Sequence, residues 1–555
     1  MQIKFLDQQV SVSEQINNQD VKELAANGVE ILVCNRPDGE QDDQPAFENL
    51  ATIAAQHSLT AVHIPFAPGA HTEEHQQKFA SLLSSGKRVH AYCRTGTRST
   101  NLWTAVSTEP KLGSNNPSAS DASTGSRVTD ILSAKDGPAF QHEGGRRHYY
   151  DVAIMGAGSA GIAVAASLRQ RADLKIALID DATEHFYQPG WTMVGGGVFD
   201  AKTTRRKTSS LIPKNVDWLQ HKVSEFIPDE HCVLLSNGDT VRYEHLVVAP
   251  GLTLDWSAIE GLEESLGRNG VTSNYRYDLA PYTWDLVRNL NSGKAVFTQP
   301  PMPIKCAGAP QKALYLSADH WLKTGVIKDI NIEFFNAGGV LFGVEAYVPA
   351  LMSYMKKYDA TLNFNQTLVK VNGEKQQAWF KSLDSDGNET ITSTDFNMLH
   401  ACPPQRAPSI VRNSELCDIS GWLDVDPSTL QHKKHSNVWG LGDVMNTPNA
   451  KTMAAARKQA PVVAQNISDA LARRAPSAHY DGYGSCPLTV EKGKIVLAEF
   501  GYGGKILPTF PSWLNDGTKP TRLAWLLKAR ILPALYWHGM LKGREWLATP
   551  NKQLP

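Results

Sequence analysis

"YYDVAIMGAGSAGIAVAASLRQRADLKIALID", Tyr149 to Asp180, decides how the larger part of this chain is read. An apolar run closes on a cluster of glycines, and a stretch with helical spacing and a second apolar run follow within about thirty residues. That is the pattern of strand, tight turn, helix and parallel strand. Gly156, Gly158 and Gly161 form G-x-G-x-x-G. The first permits the turn, the second lets backbone approach a pyrophosphate, and the third lets helix pack against strand. Asp180 follows Gly161 by about twenty residues at the end of the second strand, where a carboxylate binds the ribose hydroxyls of an adenosine. The glycines alone are weak evidence; with Asp180 they predict a dinucleotide site.

The chain has 555 residues, enough for two or more folded units. A formal net charge of -1 gives no overall field for nucleic acid, so no nucleic-acid partner is expected. The start lacks a basic region followed by an apolar run, and no uninterrupted apolar span is long enough to cross a bilayer. Cys34, Cys93, Cys232, Cys306, Cys402, Cys417 and Cys486 are few and without zinc-ligand spacing. They are read as mostly reduced thiols of a cytoplasmic protein, with no metal site.

From about Thr108 to His148 the chain is rich in Ser, Gly, Asn and Pro and too poor in apolar residues to form a core. This divides it into residues 1–108, a flexible linker over 109–148, a module over 149–505 and an amphipathic C-terminal tail over 506–555. In the first part "GVEILVCN" and "KRVHAYC" read as buried strands, and "PAFENLATIAAQHS" and "EEHQQKFASLLSSG" have helical spacing. The expected fold class is α/β throughout.

Two later stretches, "YEHLVVAPG" ending at Gly251 and "NVWGLGDV" with Gly442 and Asp443, resemble the second and third FAD motifs of two-domain flavoprotein disulfide-reductase-like enzymes. That resemblance makes the acid at Asp443 a ligand for the ribityl side of the flavin. "FFNAGGVLFGVEAY" lacks nicotinamide-loop spacing, so FAD is favoured over NAD(P)H. From about Tyr149 onward, "HFYQPGWTMVGGG", "PMPIKCAGAPQKALYLS", "LQHKKHSNVWGLGD", "YDGYGSCPL" and "LPALYWHGMLKGREW" resemble the sulfide:quinone oxidoreductase family. The resemblance implies tandem Rossmann-like domains, bound FAD, oxidation of sulfide or a small persulfide, and electron delivery to membrane quinone.

It also implies two redox cysteines beside the flavin, and Cys306 in "KCAGAPQK" matches the first. The second position is Val444, which can form neither a disulfide nor a flavin adduct. Cys402 in "LHACPPQRAPS" is a candidate substitute, against its reading as a small buried apolar residue. Cys486 matches a family position with no redox role to assign and is read as structural. Lys305 and Lys312 are cations near Cys306 that favour its thiolate.

"HAYCRTGTRS", His90 to Ser99, ends an apolar run on Cys93 and enters a helix. A thiolate there is activated by the helix dipole and by cations. Four residues separate Cys93 from Arg98, one fewer than in cysteine phosphatases, and this shorter cradle resembles the rhodanese sulfurtransferase loop. Arg94 and Arg98 would stabilise a persulfide. "NRPDGE", Asn35 to Glu40, together with this loop resembles the phosphatase-like domains of beta-lactamase-hydrolase-like proteins. A phosphatase also needs a general acid, for which Asp38, Glu73 and Glu74 are the substitutes at hand. Sulfur transfer at Cys93 is favoured, with phosphate hydrolysis or a regulatory domain as alternatives.

The resulting expectation is a bifunctional sulfur-metabolising flavoprotein, with a phosphatase joined to an oxidoreductase, or a non-enzymatic redox sensor, as rivals. In the tail, Pro533 should split two short helical pieces. Arg522, Lys528, Arg530, Lys542 and Arg544 beside Trp525, Tyr536, Trp537 and Trp546 suit a headgroup boundary. A location on the inner face of the cytoplasmic membrane is therefore expected, with packing on the protein body as the alternative. Oligomeric state is left open.

Overall fold

The computed structural model describes residues 3–6, 9–40, 44–66, 71–94, 96–107, 145–383 and 387–552, in two compact units, Met1–Gln141 and His142–Pro555. The linker expected over 109–148 lies outside the described residues except for its last four, and Arg147 and His148 already belong to the strand Arg147–Met155.

In the first unit the sheet runs in the order Lys4–Phe5, Val10–Ser13, Val89–Tyr92, Ile31–Cys34, Thr60–His63, parallel except for the antiparallel first strand. Alternate side chains leave opposite faces of a strand. Ile31 and Val33 pack with Phe79 and Leu102 from the helices Glu73–Leu83 and Thr97–Ser107. Leu32 and Cys34 pack on the other side with Leu24 and Leu50 from Asn18–Ala26 and Phe47–Gln56. Both faces are covered, which is why these strands read as unbroken apolar runs. Cys34 registers against Tyr92, so the loops that begin at Asn35 and Cys93 leave the same edge of the sheet.

The second unit is built around two sheets, one mixed, with Cys232–Leu235 and Val223–Ile227 added antiparallel beyond Thr240–Val248, and one parallel. In one, Val216–Leu219, Ile176–Ile179, Arg147–Met155 and Thr240–Val248 lie side by side in parallel, and Val438–Gly440 joins the last of these. The helix Ser159–Arg169, buried from Ala160 to Leu168, follows the glycine turn. The other sheet runs Val271–Thr272, Met398–His400, Gly293–Gln299, Ile330–Asn336, Thr361–Phe364, all parallel. After it, the hairpin Gly484–Glu491 and Lys494–Phe500 lays Cys486 and Leu488 into one core with Ala313 and Leu314 of the helix Ala309–Thr324.

The tail departs from expectation in two ways. Pro533 does not divide it: Arg522–Leu526 continues through a π-helical turn, Leu527–Ile531, into Leu532–His538. The wider turn accommodates the missing N–H and the ring of a proline that then sits in the first turn of the next helix. Nor do Lys528, Tyr536 and Trp537 reach a headgroup boundary, because all three are buried. The Tyr536 hydroxyl bonds His185 and, at 2.7 Å, Ser159 at the start of the first βαβ helix. Arg206 lies 4.2 Å above the Trp537 ring, and Arg171 forks onto Glu545 at 2.6 and 2.9 Å. Leu523, Leu526, Ile531, Trp546 and Leu547 keep an exposed face. No helix among the described residues is long and apolar enough to cross a membrane.

Trp537→Ala removes a ring that is 4% exposed. It is expected to cost about 3–5 kcal/mol, read as a lower denaturant midpoint for the second unit.

Candidate active site

Cys306 lies three residues before the helix Ala309–Thr324, which starts at the Gly308 cap with Pro310 in its first turn. Its φ of 51° is left-handed, rare for a side chain with a Cβ. Hydrogen bonds pin the segment: Cys306 N–H donates to the Lys451 carbonyl at 2.8 Å, Ala309 N–H donates to the Cys306 carbonyl at 2.7 Å, and the Tyr275 hydroxyl donates to the Lys305 carbonyl at 2.9 Å. The conformation presents the thiol to a cavity that also reaches Gly156, Gly158, Asp180, Gly251, Gly442 and Asp443. Gly161 serves from outside it: a Cβ there would stand 1.8 Å from the Gly156 carbonyl oxygen, so only glycine lets helix and turn meet.

Sulfur chemistry at Cys306 is set by its neighbours. Lys312 Nζ is 3.1 Å from its Sγ and 3.9 Å from that of Cys486, and the two sulfurs are 3.4 Å apart. The hydrogen bond with Cys486, and then the Lys312 and Lys528 ammonium groups, hold the Cys306 thiol well below the usual range although burial opposes them. The same hydrogen bond, together with burial, pushes Cys486 well up. Lys305 points elsewhere, onto Gln188.

Cys486, which reads as structural from sequence, is the thiol that meets Cys306, a juxtaposition sequence reasoning missed. Cys402 shares a small apolar cluster with Tyr275, Ala309 and Cys306, yet burial pushes its thiol up to about 12. Val444 is fully buried core. Lys528 was missed as well, having been read as a membrane-facing cation; burial first, and then Lys312, bring it down to about 7.

The cavity fits a flavin dinucleotide. Gly158 caps the helix Ser159–Arg169, whose first turn carries no acid, and a Cβ at Gly158 would meet nothing within 4 Å, leaving room for a phosphate. Asp180 accepts the Ala157 and Ala182 amides at 2.6 and 2.8 Å and so also braces the glycine turn. The side-chain polar atoms of Tyr187, Trp191, Thr192 and Asn274 are buried in the cavity wall without partners. Such groups call for a ligand or water. Burial raises the Asp443 carboxyl, opposed by Lys305 and Lys451.

In the first unit Cys93 is buried at the end of the strand Val89–Tyr92, and the helix Thr97–Ser107 follows. Thr95 lies outside the described residues. Arg94 is exposed. Arg98 is buried but its fork is occupied: both terminal nitrogens donate to the Glu40 carboxylate at 2.7 Å, and one also reaches the Phe66 carbonyl. Arg36 donates to the same carboxylate at 2.9 Å. Asp38 accepts the Phe47 amide, and Glu74 pairs with Lys78, so neither is placed as a general acid. The organising acid is Glu40, which the spacing of the chain did not single out.

Burial raises the Glu40 carboxyl, but Arg98 and Arg36 more than reverse that and hold it below the usual range. Its stabilisation is thus present above the ordinary glutamate pKa and lost as pH falls through the depressed value. Glu40→Gln is expected to cost the first unit about 2 kcal/mol at neutral pH, with the loss vanishing in acid, as measured by denaturant titration at several pH values.

Residues 2–109 match the Beta-lactamase hydrolase-like protein, phosphatase-like domain, and residues 150–298 match Pyridine nucleotide-disulphide oxidoreductase. Over 411 residues the chain is 38% identical to the mitochondrial sulfide:quinone oxidoreductase of Mus musculus, covering 73% of this chain and 90% of that protein. The chain belongs to the sulfide:quinone oxidoreductase family. The mitochondrial member from Dictyostelium discoideum is 38% identical over 397 residues, 71% of this chain and 86% of that one. The solved sulfide:quinone oxidoreductase of Aquifex aeolicus superposes with a TM-score of 0.59 at 20% identity, over 73% of this chain and 93% of its own, a likeness of fold.

This family member carries a phosphatase-like domain ahead of an FAD-dependent oxidoreductase module, and FAD is its cofactor. The expected cytoplasmic location, on the inner face of the cytoplasmic membrane, is overturned, because three relatives covered over most of their length, from Mus musculus, Dictyostelium discoideum and Schizosaccharomyces pombe, are named as mitochondrial proteins.

Proposed function

We propose that the second unit oxidises sulfide at Cys306 and delivers the electrons to a quinone, while Cys93 of the first unit carries sulfane sulfur to or from a small thiol. The observation that carries the first part is the Cys306 thiolate, held 3.1 Å from Lys312 in the wall of the cavity that reaches the dinucleotide turn. Gly156, Gly158 and Asp180 would hold the adenosine half of FAD, and Gly251, Gly442 and Asp443 the flavin half. When bound, FAD supplies a two-electron acceptor. The chain's part is to keep a sulfur nucleophile ionised, to hold it in the cavity wall and to neutralise the charge that develops on it.

The cavity wall is completed by Leu527, Lys528, Leu532 and Leu535 of the tail. Leu523, Leu526 and Ile531 of the same segment are exposed. Together they support a reading in which a quinone approaches from a membrane surface touched by the tail. Anaerobic titration of the purified protein with sulfide, followed by a soluble quinone, tests the proposal: the flavin should bleach and then recover its oxidised spectrum. A flavin that sulfide leaves oxidised would remove the sulfide reading, and one that quinone leaves reduced would remove the acceptor.

The four-residue spacing from Cys93 to Arg98 supports sulfur transfer over phosphate hydrolysis. Cys93→Ser protein should keep sulfide-dependent flavin reduction and lose transfer of sulfane sulfur to a thiol. Steady hydrolysis of a phosphotyrosine mimic that disappears with Cys93 would instead establish a phosphatase.

A further inference from the structure

We propose that Cys486 is the second redox thiol of this chain, and that Cys306 and Cys486 cycle between a disulfide and a dithiol. The inference rests on the sulfide-oxidising reading above and supplies the partner that Val444 cannot.

Three independent features of the fold converge on the pair. The sulfurs lie 3.4 Å apart, with Lys312 Nζ within reach of both. A disulfide requires that gap to close to roughly 2.0 Å. The approach is possible because residue 308 is glycine: a Cβ there would lie 2.7 Å from the Cys486 sulfur and 2.2 Å from Leu488. The supports on each side are rigid. Cys306 is tied by backbone bonds to Lys451 and Ala309, and Cys486 sits in a hairpin strand paired with Ala498. Buried cysteines packed as small apolar residues need no lysine between them. Here a buried ammonium faces both sulfurs, and its cost is offset only where a thiolate forms.

The cycle balances as follows. Hydrosulfide attacks the Cys306 sulfur of the bridge, the one that lines the cavity. A new S–S bond forms on Cys306, the Cys306–Cys486 bond breaks, and Cys486 leaves as a thiolate beside Lys312. A small thiolate acceptor then takes the outer sulfur from Cys306, giving an acceptor persulfide and a second thiolate. Re-forming the bridge from the two thiolates releases two electrons, for which the bound flavin is the oxidant.

The test uses the full-length, FAD-loaded protein. Air-oxidised wild-type protein, alkylated without reduction and digested, should yield a peptide linking Cys306 to Cys486. Anaerobic sulfide should replace it by a Cys306 peptide heavier by one sulfur and an alkylated Cys486. Cys486→Ser should retain FAD and its visible spectrum but lose sulfide-dependent flavin reduction by more than about 100-fold. A link from Cys306 to Cys402, or two free thiols throughout in a wild-type protein whose flavin sulfide does reduce, would overturn the pair. So would full-speed reduction in Cys486→Ser. Because peptide mapping uses the wild type, a variant that misfolds does not decide the matter. A linked peptide in a protein whose flavin sulfide does not reduce would leave the pair standing and defeat the sulfide-oxidation reading instead.

Discussion

Cys306→Ser protein is expected to bind FAD as the wild type does and to lose sulfide-dependent flavin reduction by about 1000-fold or more. The serine hydroxyl stays protonated at working pH, and its oxygen can neither accept sulfane sulfur nor bridge to Cys486. The elements that would hold the flavin, the turn at Gly156 to Gly161, Gly251 and the segment at Gly442 and Asp443, belong to other parts of the chain and stay as they are. The change at 306 removes one sulfur atom from a backbone held by its own hydrogen bonds. Anaerobic stopped-flow absorbance, with the FAD-to-protein ratio as control, separates the two effects. Wild-type reduction rates in this variant would place the sulfur chemistry elsewhere.

Lys312→Met is expected to move the pH dependence of the same reaction while sparing the fold. Lys312 is buried, and burial is the largest influence on it, opposed by the charge of the Cys306 and Cys486 sulfurs that keeps it protonated. An opposite charge within about 4 Å typically moves a pKa by about 1–3 units. In the wild type the Cys306 thiolate, the electron-donating form, persists below the ordinary thiol pKa and is lost as pH falls through its depressed value. Without Lys312 the thiol loses one of the influences that lower it, while the Cys486 hydrogen bond remains, so the acid limb should shift up by about 1–3 pH units, with the rate falling most on the acid side and recovering in alkali. Methionine fills the lysine stem's volume without burying a charge, so stability should hold or rise. A variant with an unshifted profile would show that Lys312 packs the site without tuning it.

The glycine turn, Asp180 and the alternation of apolar runs with helical stretches were legible because each depends on residues close in sequence. Cys486 was not: it lies 180 residues from Cys306 and reaches it only when the hairpin packs on the helix Ala309–Thr324. One local trace of that approach existed, Gly308 two residues after Cys306, where a side chain would collide with the strand that carries Cys486. Glu40 escaped notice for the same reason, since its partners Arg36 and Arg98 leave two neighbouring strand ends that only sheet order brings together. The tail misled because amphipathic spacing states that a face is apolar and not what covers it. Tyr536 turned out to bond the start of the first βαβ helix, and Trp537 to pack against His185 and Tyr187.

By itself, then, the sequence determined the two α/β units, the dinucleotide turn and the presence of a cationic neighbourhood around a cysteine at a helix start, all consequences of short-range steric and hydrophobic periodicity. Only the tertiary structure decided which sulfur faces Cys306, which lysine lies between the two thiols and which tail residues are core. Those outcomes follow from packing across distant segments, where burial and charge act through space on groups the chain keeps far apart.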